Sequence, residues 1–242
     1  MSAETAAAPT RLLPLHHEHL RARAQMVERD GWLQPWAYAD PEREARVARA
    51  TAGLLDASAT TRVAVKGAQV EAALEAAWPG AATAPLQVAA PEPGLLVCRL
   101  APDEALVLAP IAERAAVLAR LEERMATVAG CAHVLDVTSG HAGMQVVGPR
   151  ARDLLSRCTA LDLRPPELPN RRCAQAALAR VHALVVRDDL GDLPAFQVHV
   201  ARDYAAFVWE WLLEVGHAFG AVPCGLGALE RLRATAAEGA PA

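Results

Sequence analysis

The chain contains two local patterns that each occur twice, in the same order. Residues 62–74 (RVAVKGAQVEAAL) and 143–155 (GMQVVGPRARDLL) both pass from alternating apolar residues through a glycine into a helical pattern. Residues 105–125 and 195–215 then share a strand pattern, a short turn and a helix pattern. The copies lie 81 and 90 positions apart, so they differ by about one short insertion. This repetition limits the chain to two halves of one topology.

The periodicities inside the repeats predict an α+β fold of two ferredoxin-like β-α-β-β-α halves, at about 61–129 and 143–220. In the strand pattern at 196–200, apolar side chains alternate with Gln197 and His199. Such alternation is typical of an antiparallel sheet with one covered face and one exposed face. We therefore expect helices on the apolar face of each sheet and solvent on the polar face.

The regions outside the repeats predict one domain, 11–233, between two loose tails. The tails, 1–10 and 234–242, consist mainly of small and polar residues. Within the opening segment we expect a helix around His16–Glu28 and an aromatic turn at 31–38.

A further helix is predicted over 41–52. It follows Asp40, a good N-cap residue, and begins with Pro41.

Composition excludes several classes of function. The chain has 24 basic and 28 acidic residues, a net charge of −4, and arginines that alternate with acids. It therefore offers no basic face for nucleic acid. Five scattered cysteines without C-x-x-C spacing favour a reduced, cytoplasmic protein over a disulfide scaffold or zinc site. No apolar run reaches about 18 residues, so no membrane span is predicted.

Two groups of residues are of types found in phosphate-binding and metal-binding sites, but their spacing does not match such sites. Gly67 and Gly148 precede helices, but no phosphate-binding glycine motif is present, so we expect tight turns there. His16, His17 and His19 lack the i, i+4 spacing that aims two imidazoles at one metal ion, so we predict no metal site.

The aromatic group Trp32, Trp36 and Tyr38 leaves two interpretations open. These rings can pack in the core, or they can hold a planar heterocycle beside a loop.

Several stretches resemble the folate-binding domains of the glycine cleavage T-protein (aminomethyltransferase) superfamily, in particular those of heterotetrameric sarcosine oxidase. They are LPLHHEHL, GWLQPWAY, EARVARATAGLLDAS, TRVAVKGAQVEAAL, DVTSGHAGMQVVGPRARDLL and CGLGALERLR. Residues 173–213 are most like the gamma subunit of that oxidase. The resemblance covers about 12–233 and implies the T-protein folate-binding fold. It also leads us to expect that the family's C-terminal β-barrel domain is absent.

The resemblance implies that tetrahydrofolate captures a one-carbon unit from an amine, and it allows site residues to be carried over. The family's aspartate pair falls on Pro93 and Gly94, with Glu92 the nearby acid, and its asparagine falls on Pro110. The segment Arg187–Gln197 aligns without a gap. It keeps Arg187 and Phe196, and it has Leu190 for a tyrosine and Gln197 for a glutamate. Of two basic positions near the end, Leu229 has lost its arginine and Arg233 keeps one.

The glutamate-to-glutamine change matters because a pterin edge offers two adjacent N–H donors. A carboxylate accepts both, whereas an amide supplies one acceptor and one mismatched donor. An unmet buried donor costs about 1–3 kcal/mol, roughly tenfold to a hundredfold in affinity.

Two hypotheses follow. In the first, the protein is a tetrahydrofolate-dependent one-carbon transferase acting on an amine donor, with Glu92 as the acid or base. Its cofactor would be held by Gln197, Arg187, Phe196, Arg233 and Trp32 or Trp36. In the second, the protein is a non-catalytic partner of a flavin-dependent amine, glycine or sarcosine oxidase, similar to the gamma subunit.

Overall fold

A computed structural model describes residues 10–130 and 132–238. The predicted tails at 1–9 and 239–242, and Cys131, lie outside the described residues. The opening segment contains β1 (Arg11–Leu12), α1 (His16–Arg21), β2 (Gln25–Arg29) and β3 (Trp32–Ala37), and its three strands form a small sheet in the order β1-β3-β2.

This segment corrects two predictions. The helix expected around His16–Glu28 ends at Arg21, and the aromatic turn expected at 31–38 is mostly strand. The cause is a hairpin turn at Asp30 and Gly31, which both have positive φ, 52° and 75°. Asp-Gly with positive φ at both positions is a turn that pairs two antiparallel strands.

The chain then continues through α2 (Pro41–Ala50) and β4 (Ala52–Asp56). The predicted helix start is confirmed, because Asp40 Oδ1 accepts the Arg43 N–H at 2.9 Å.

The first half contains β5 (Thr60–Lys66), α3 (Val70–Ala77), β6 (Val88–Glu92), β7 (Leu95–Ala101), β8 (Glu104–Pro110) and α4 (Arg114–Met125), and β9 (His133–Asp136) follows it and leads into the second half. The second half contains β10 (His141–Val147), α5 (Ala151–Leu155), β11 (Arg172–Leu178), β12 (Val181–Arg187), β13 (Ala195–Ala201), α6 (Ala205–His217), β14 (Ala221–Cys224) and α7 (Leu226–Glu238). The α+β class and the two related halves are confirmed. Each half also has an edge strand, β6 or β11, that the sequence did not reveal.

The two halves exchange their leading strands. Their sheets have the orders β6-β7-β8-β5-β9 and β11-β12-β13-β10-β4-β14. Thus β4, which precedes β5 in the chain, pairs with β10 of the other sheet, while β9, which precedes β10, pairs with β5. Both crossings use the same turn, in which an aspartate accepts the N–H two residues later. The pairs are Asp56 with Ser58 at 2.7 Å and Asp136 with Thr138 at 3.0 Å.

The sheets pack against each other, and the helices of each half cover its outer face. Helices α3 and α4 pack on the first sheet around Val63, Val97 and Val107. Helices α5 and α6 pack on the second sheet in the same way. Between the sheets, Leu96 and Cys98 meet Val186 and neighbouring apolar side chains. Helices α2 and α7 cover the part of the second sheet's inner face near Leu55, Val147 and Ala195.

The polar strand faces are therefore inside the molecule, which corrects the expectation that they face solvent. His199 is 3% exposed and Arg62 is fully buried between the sheets. The Arg62 guanidinium donates to the carbonyls of Ala57, Ser58 and Thr60 at 2.9–3.0 Å and, through Nε, to His199 Nδ1 at 3.1 Å. Because the two sheets pack face to face, the polar side chains of the alternating pattern are buried. They form a hydrogen-bonded seam between the sheets, centred on Arg62 and His199.

The C-terminal boundary also differs from the prediction. Residues 234–238 continue α7 rather than starting a tail, because their alanines and Glu238 are good helix formers. In the described ranges, no helix is long and apolar enough to cross a membrane.

Candidate functional site

A cavity of about 640 Å³ lies between the two halves. It lies on the inner face of the second sheet, between the part that the first sheet covers and the part that α7 covers. Its walls come from β4, β10 and β13, from the ends of β7 and β8, from the β2–β3 hairpin and from α7. Cavities of about 300–1,000 Å³ hold small molecules. The cavity is therefore large enough for an organic ligand.

One wall of the cavity carries a row of side chains from neighbouring strands. Gln145 lies opposite Leu55 on one side and Gln197 on the other in the strand registers, so all three share the inner face. Gln197 Nε2 donates to Asp188 Oδ2 at 3.4 Å, and Arg171 Nη2 lies 3.2 Å from Asp188 Oδ1. All of these residues line the cavity.

Asp188 is the carboxylate of this wall with the most unusual environment. Burial raises the pKa of its carboxyl above the ordinary value, and Asp189 adds to this, while Arg171, Arg233 and the Gln197 amide oppose it. Burial thus outweighs the donors that Asp188 already has, and further N–H donors from a ligand would favour its charged form.

Arg233 and Leu229 reach the cavity from α7. Arg233 makes no ion pair with a carboxylate within the ranges that the structure describes. Its neighbour on the same helix, Glu230, is instead paired with Arg29. Arg233 is therefore available to an anionic group that enters the cavity.

Some of the positions carried over from the family line this cavity, and others do not. Those that line it are Gly94, Pro110, Leu190, Gln197, Leu229 and Arg233. They come from four separate parts of the chain, and the folded structure brings them to one place.

Arg187 and Phe196 lie behind the cavity wall rather than in it. Arg187 pairs with both oxygens of Asp189 at 3.0 and 2.9 Å, donates to the Leu168 carbonyl at 2.9 Å and lies over the Phe196 ring. Strand alternation places Phe196 on the helix-covered face, opposite to Gln197, and it is fully buried. Asp189 does line the cavity, so Arg187 contacts the cavity wall through Asp189.

Glu92 is not among the residues that form the cavity. It lies at the end of the edge strand β6, half-exposed, and accepts a hydrogen bond from Arg120 Nη1 at 2.5 Å. This placement argues against the acid or base role predicted for Glu92, because the carboxylate is paired and faces away from Gln197 and its neighbours.

Trp32 and Trp36 also lie away from the cavity. Trp32 is 4% exposed and has the Arg11 guanidinium over its ring at 5.8 Å. Trp36 packs against the glycines at the start of α7, Gly225 and Gly227. Of the two open interpretations, core packing fits Trp32, whereas Trp36 is only partly buried. The opening segment instead contributes Arg29, Asp30 and Gln34 to the cavity.

A buried chain of hydrogen bonds fixes the opening segment beside the cavity. His19 Nε2 lies 2.8 Å from Asp56 Oδ2, and the Tyr38 hydroxyl lies 2.8 Å from His19 Nδ1. Because Asp56 can only accept, Nε2 carries the proton and Nδ1 accepts from Tyr38. Burial and the nearby Asp56 raise the pKa of Tyr38. His19 thus has a structural role, and Asp56 lines the cavity.

Sequence reasoning missed Asp188, Arg171 and Gln145. Gln145 carries a readable signal, since it is a polar residue in an otherwise apolar repeat strand. Asp188 lies inside the segment that aligns with the family, but its contact with Gln197 depends on strand pairing. Arg171 precedes an edge strand, and no local pattern marks it.

Comparison with known proteins identifies the family of this chain. The model of the GCVT N-terminal domain family matches residues 15–238. The aminomethyltransferase of Moorella thermoacetica is 28% identical over 93% of this chain and 63% of its own length. That of Saccharopolyspora erythraea is 30% identical over 92% of this chain and 63% of its own length. The chain thus spans about three-fifths of the length of these relatives.

Two solved structures share the fold. Glycine cleavage system aminomethyltransferase T from Bartonella henselae superposes with a TM-score of 0.78 at 23% identity, over 93% of this chain and 62% of that one. A chain of heterotetrameric sarcosine oxidase from Corynebacterium sp. U-96 gives a TM-score of 0.65 at 21% identity, over 88% of this chain and 97% of that one. With the family match spanning nearly all of the described residues, this chain belongs to the GCVT N-terminal domain family.

Proposed function

We propose that this protein binds tetrahydrofolate in the cavity between its halves and presents it to an amine-derived one-carbon unit. One observation carries the proposal. Six positions that correspond to the family's ligand-binding motifs, dispersed between residues 94 and 233, line a single cavity of about 640 Å³.

The residues present fit the ring and the tail of such a ligand. Gln145, Gln197 and Asp188 place hydrogen-bonding groups on one wall, facing the apolar side chains of Leu96 and Leu108. That combination suits a flat polar heterocycle, which needs apolar contact on its faces and hydrogen bonds at its edge. Arg233 suits a carboxylate on the tail.

The same residues indicate which part of the chemistry the protein can perform. When bound, tetrahydrofolate supplies the nucleophilic nitrogens that accept a one-carbon unit. Gly94 and Pro110 offer no proton donor or acceptor side chain where the family has an aspartate and an asparagine. The proposed contribution of the protein is therefore positioning, which alone lowers a barrier by up to about 7–11 kcal/mol. This suits an electrophile that an amine oxidase has already activated.

Thermal melting with tetrahydrofolate tests the proposal. A ligand at 100 times its dissociation constant stabilises the folded state by about 2.7 kcal/mol. For a chain of this size that corresponds to an increase in Tm of about 5–10 °C. An unchanged Tm at millimolar tetrahydrofolate would contradict the proposal.

A matched pair of variants on α7 locates the ligand. Arg233→Ala removes the cavity guanidinium and is expected to weaken binding about tenfold or more, because it removes a charge-assisted contact. Arg231→Ala removes the same charge from the exposed side of the same helix and should leave the dissociation constant unchanged. Equal effects of the two substitutions would mean that the ligand does not reach α7.

A second candidate function is that of a subunit of a flavin-dependent amine oxidase. Tyr204, Phe207 and Trp211 form an exposed aromatic face on and just before α6, with exposures of 50%, 45% and 41%. Large exposed aromatic side chains that lie together favour a protein interface. The match to nearly the whole of one chain of a heterotetrameric sarcosine oxidase supports the same idea.

Co-expression with a flavin-dependent amine oxidase of the same organism, followed by size exclusion, tests this candidate. We expect one complex, and we expect Phe207→Glu to release the protein as a separate peak. Leu135→Glu changes an equally exposed apolar residue on β9 and serves as the control. Separate elution of the unmodified proteins at micromolar concentration would rule out a stable subunit role.

A further inference from the structure

A glutamine at the ring-binding position offers a ligand one acceptor fewer than a glutamate does. In this structure Asp188 lies beside Gln197 and can supply the missing acceptor. A carboxylate there would accept from two adjacent N–H groups, whereas an amide brings its own N–H into the site. In this structure the Gln197 amide N–H is hydrogen-bonded within the protein and does not point unpaired into the cavity. It donates to Asp188 Oδ2 at 3.4 Å, and an amide oxygen facing that carboxylate would be repelled.

This contact fixes what the pair presents to the cavity. With its nitrogen directed at Asp188, Gln197 leaves Oε1 as a free acceptor. Asp188 has about four lone-pair sites. Gln197 donates a hydrogen bond to one of them, on Oδ2, and Arg171 forms an ion pair with Oδ1 at 3.2 Å. Two acceptors on neighbouring side chains therefore remain along one wall of the cavity.

We propose that Asp188 and Gln197 act together as a two-residue acceptor that recognises a heterocycle edge with two adjacent N–H donors, one on the ring and one on an exocyclic amine. The inference rests on the proposed function, since the 2-amino-4-oxo edge of a reduced pterin is such an edge. Asp188 is thus a specificity-determining residue, and the negative charge of the site has moved from position 197 to position 188.

The two positions are close enough in the sheet to exchange roles. Gln197 pairs with Val186 in the register of β12 and β13. Asp188 comes two residues after Val186, just past the end of β12, and its N–H donates to the Ala195 carbonyl at 3.0 Å. A carboxylate at either position faces the same part of the cavity. An amide at the other position supplies one N–H to it.

A double-mutant cycle tests the pair, with tetrahydrofolate as the probe and calorimetry as the readout. Asp188→Asn is expected to weaken binding about tenfold to a hundredfold, since one acceptor is lost. Gln197→Glu places two carboxylates side by side and is also expected to weaken binding at pH 8. The double variant restores one carboxylate and one amide, so its dissociation constant should return to within about threefold of the parent value.

A control and a pH profile separate recognition from a merely structural role. Asp192→Asn removes the same charge from an exposed residue in the same loop and should not change the affinity. Parent affinity should fall on acidification as Asp188 takes up a proton, whereas Asp188→Asn should show a flatter pH profile. Additive effects of the two substitutions, or an unchanged affinity of Asp188→Asn, would overturn the proposal that Asp188 and Gln197 act together.

A second probe keeps this outcome distinct from failure of the folate proposal. A tetrahydropterin without a tail carries the same donor edge. Binding of this fragment in an Asp188-dependent manner, with no binding of tetrahydrofolate, would support the pair and overturn the folate proposal. If tetrahydrofolate binds with the same affinity to the parent and to Asp188→Asn, the folate proposal would be supported and the role of the pair overturned. Absence of binding for both probes would overturn both.

Discussion

Positions 62 and 143 show how one residue breaks an otherwise repeated pattern. Arg62 and Gly143 are equivalent in the two copies, 81 positions apart. The Arg62 guanidinium occupies the space that a side chain at 143 would need. A Cβ on Gly143 would overlap Arg62 Nη2 and lie 2.7 Å from the Ala57 carbonyl oxygen. The glycine is therefore required by close approach of the two copies at their shared seam.

Gly143→Ala is accordingly expected to lower the free energy of unfolding by about 1–3 kcal/mol, as overpacking of a core does. Denaturant unfolding measures this. Gly140→Ala, where an added Cβ meets nothing within 4 Å, is the control and should be neutral or slightly stabilising. An unaffected Gly143→Ala variant would show that the seam is looser than described.

His199 makes the stability of the seam depend on pH. Its Nδ1 accepts from Arg62 Nε, so the ring has to stay neutral. Burial lowers the pKa of His199 well below its ordinary value of about 6.5, and the positive charge of Arg62 and the nearby His141 lower it further. Below pH 6.5 the unfolded chain therefore binds a proton that the folded chain does not.

We expect the free energy of unfolding to fall as the pH drops below 6.5, by up to about 1.4 kcal/mol per pH unit from this residue. His199→Asn keeps an acceptor for Arg62 but does not titrate, so its stability should change less between pH 6.5 and 5. Parallel pH profiles for the two proteins would refute the role given to His199.

At the scale of elements, a buried carboxylate connects the opening segment to the C-terminal helix. Glu44 on α2 accepts the N–H groups of Tyr38 and Ala39 through Oε1, both at 2.7 Å, and that of Gly225 through Oε2 at 2.9 Å. These donors lie at the end of β3 and just before α7, so one side chain ties together the elements that form one side of the cavity.

Glu44→Gln replaces one acceptor by a donor and leaves at least one buried N–H unmet. We predict a loss of about 1–3 kcal/mol in the free energy of unfolding. The exposed neighbour on the same helix, tested as Glu42→Gln, should be neutral. Chemical denaturation of both variants compares them directly, and equal stabilities would contradict the bridging role.

The elements that the sequence predicted correctly are those with strong local signals. The strand, turn and helix of 105–125 and of 195–215 are present, and Asp40 begins α2 as expected. A helix ending at Glu28 and an aromatic turn at 31–38 were expected where the β2–β3 hairpin lies, although Asp30-Gly31 is a strong hairpin signal. The exchange of β4 and β9 leaves no local trace, since each pairs with a strand of the other half.

At the scale of the whole molecule, strand exchange makes each half incomplete without the other. The first sheet needs β9, and the second needs β4, which precedes the first half in the chain. We propose that the described chain is a single folding unit. We predict one cooperative unfolding transition that is coincident by circular dichroism and tryptophan fluorescence.

Separate fragments of the chain also test whether it is a single folding unit. Fragments 10–130 and 132–238 should each fail to fold alone, because each lacks a strand of its sheet and exposes an open edge. Two separate transitions in the intact chain, or a stably folded isolated fragment, would show independent halves.

The candidate site was predictable in part for the same reasons. Alignment brought Gln197 and Arg233 to the cavity, whereas Arg187 and Phe196 of the same aligned segment lie behind its wall. Glu92 is close to Gly94 in sequence, but the edge strand β6 directs its side chain to Arg120. Asp188 became visible only through pairing across strands. Chain neighbourhood is thus a weak guide to side-chain direction in a two-sheet protein.

The location of the ligand is tested most directly by a crystal structure of the protein grown with tetrahydrofolate. We predict a bicyclic ring between the two sheets, with its donor edge at Gln197 Oε1 and Asp188 and its tail toward Arg233. Tetrahydrofolate bound elsewhere on the molecule, or a filled seam with no ligand at saturating concentration, would contradict this account.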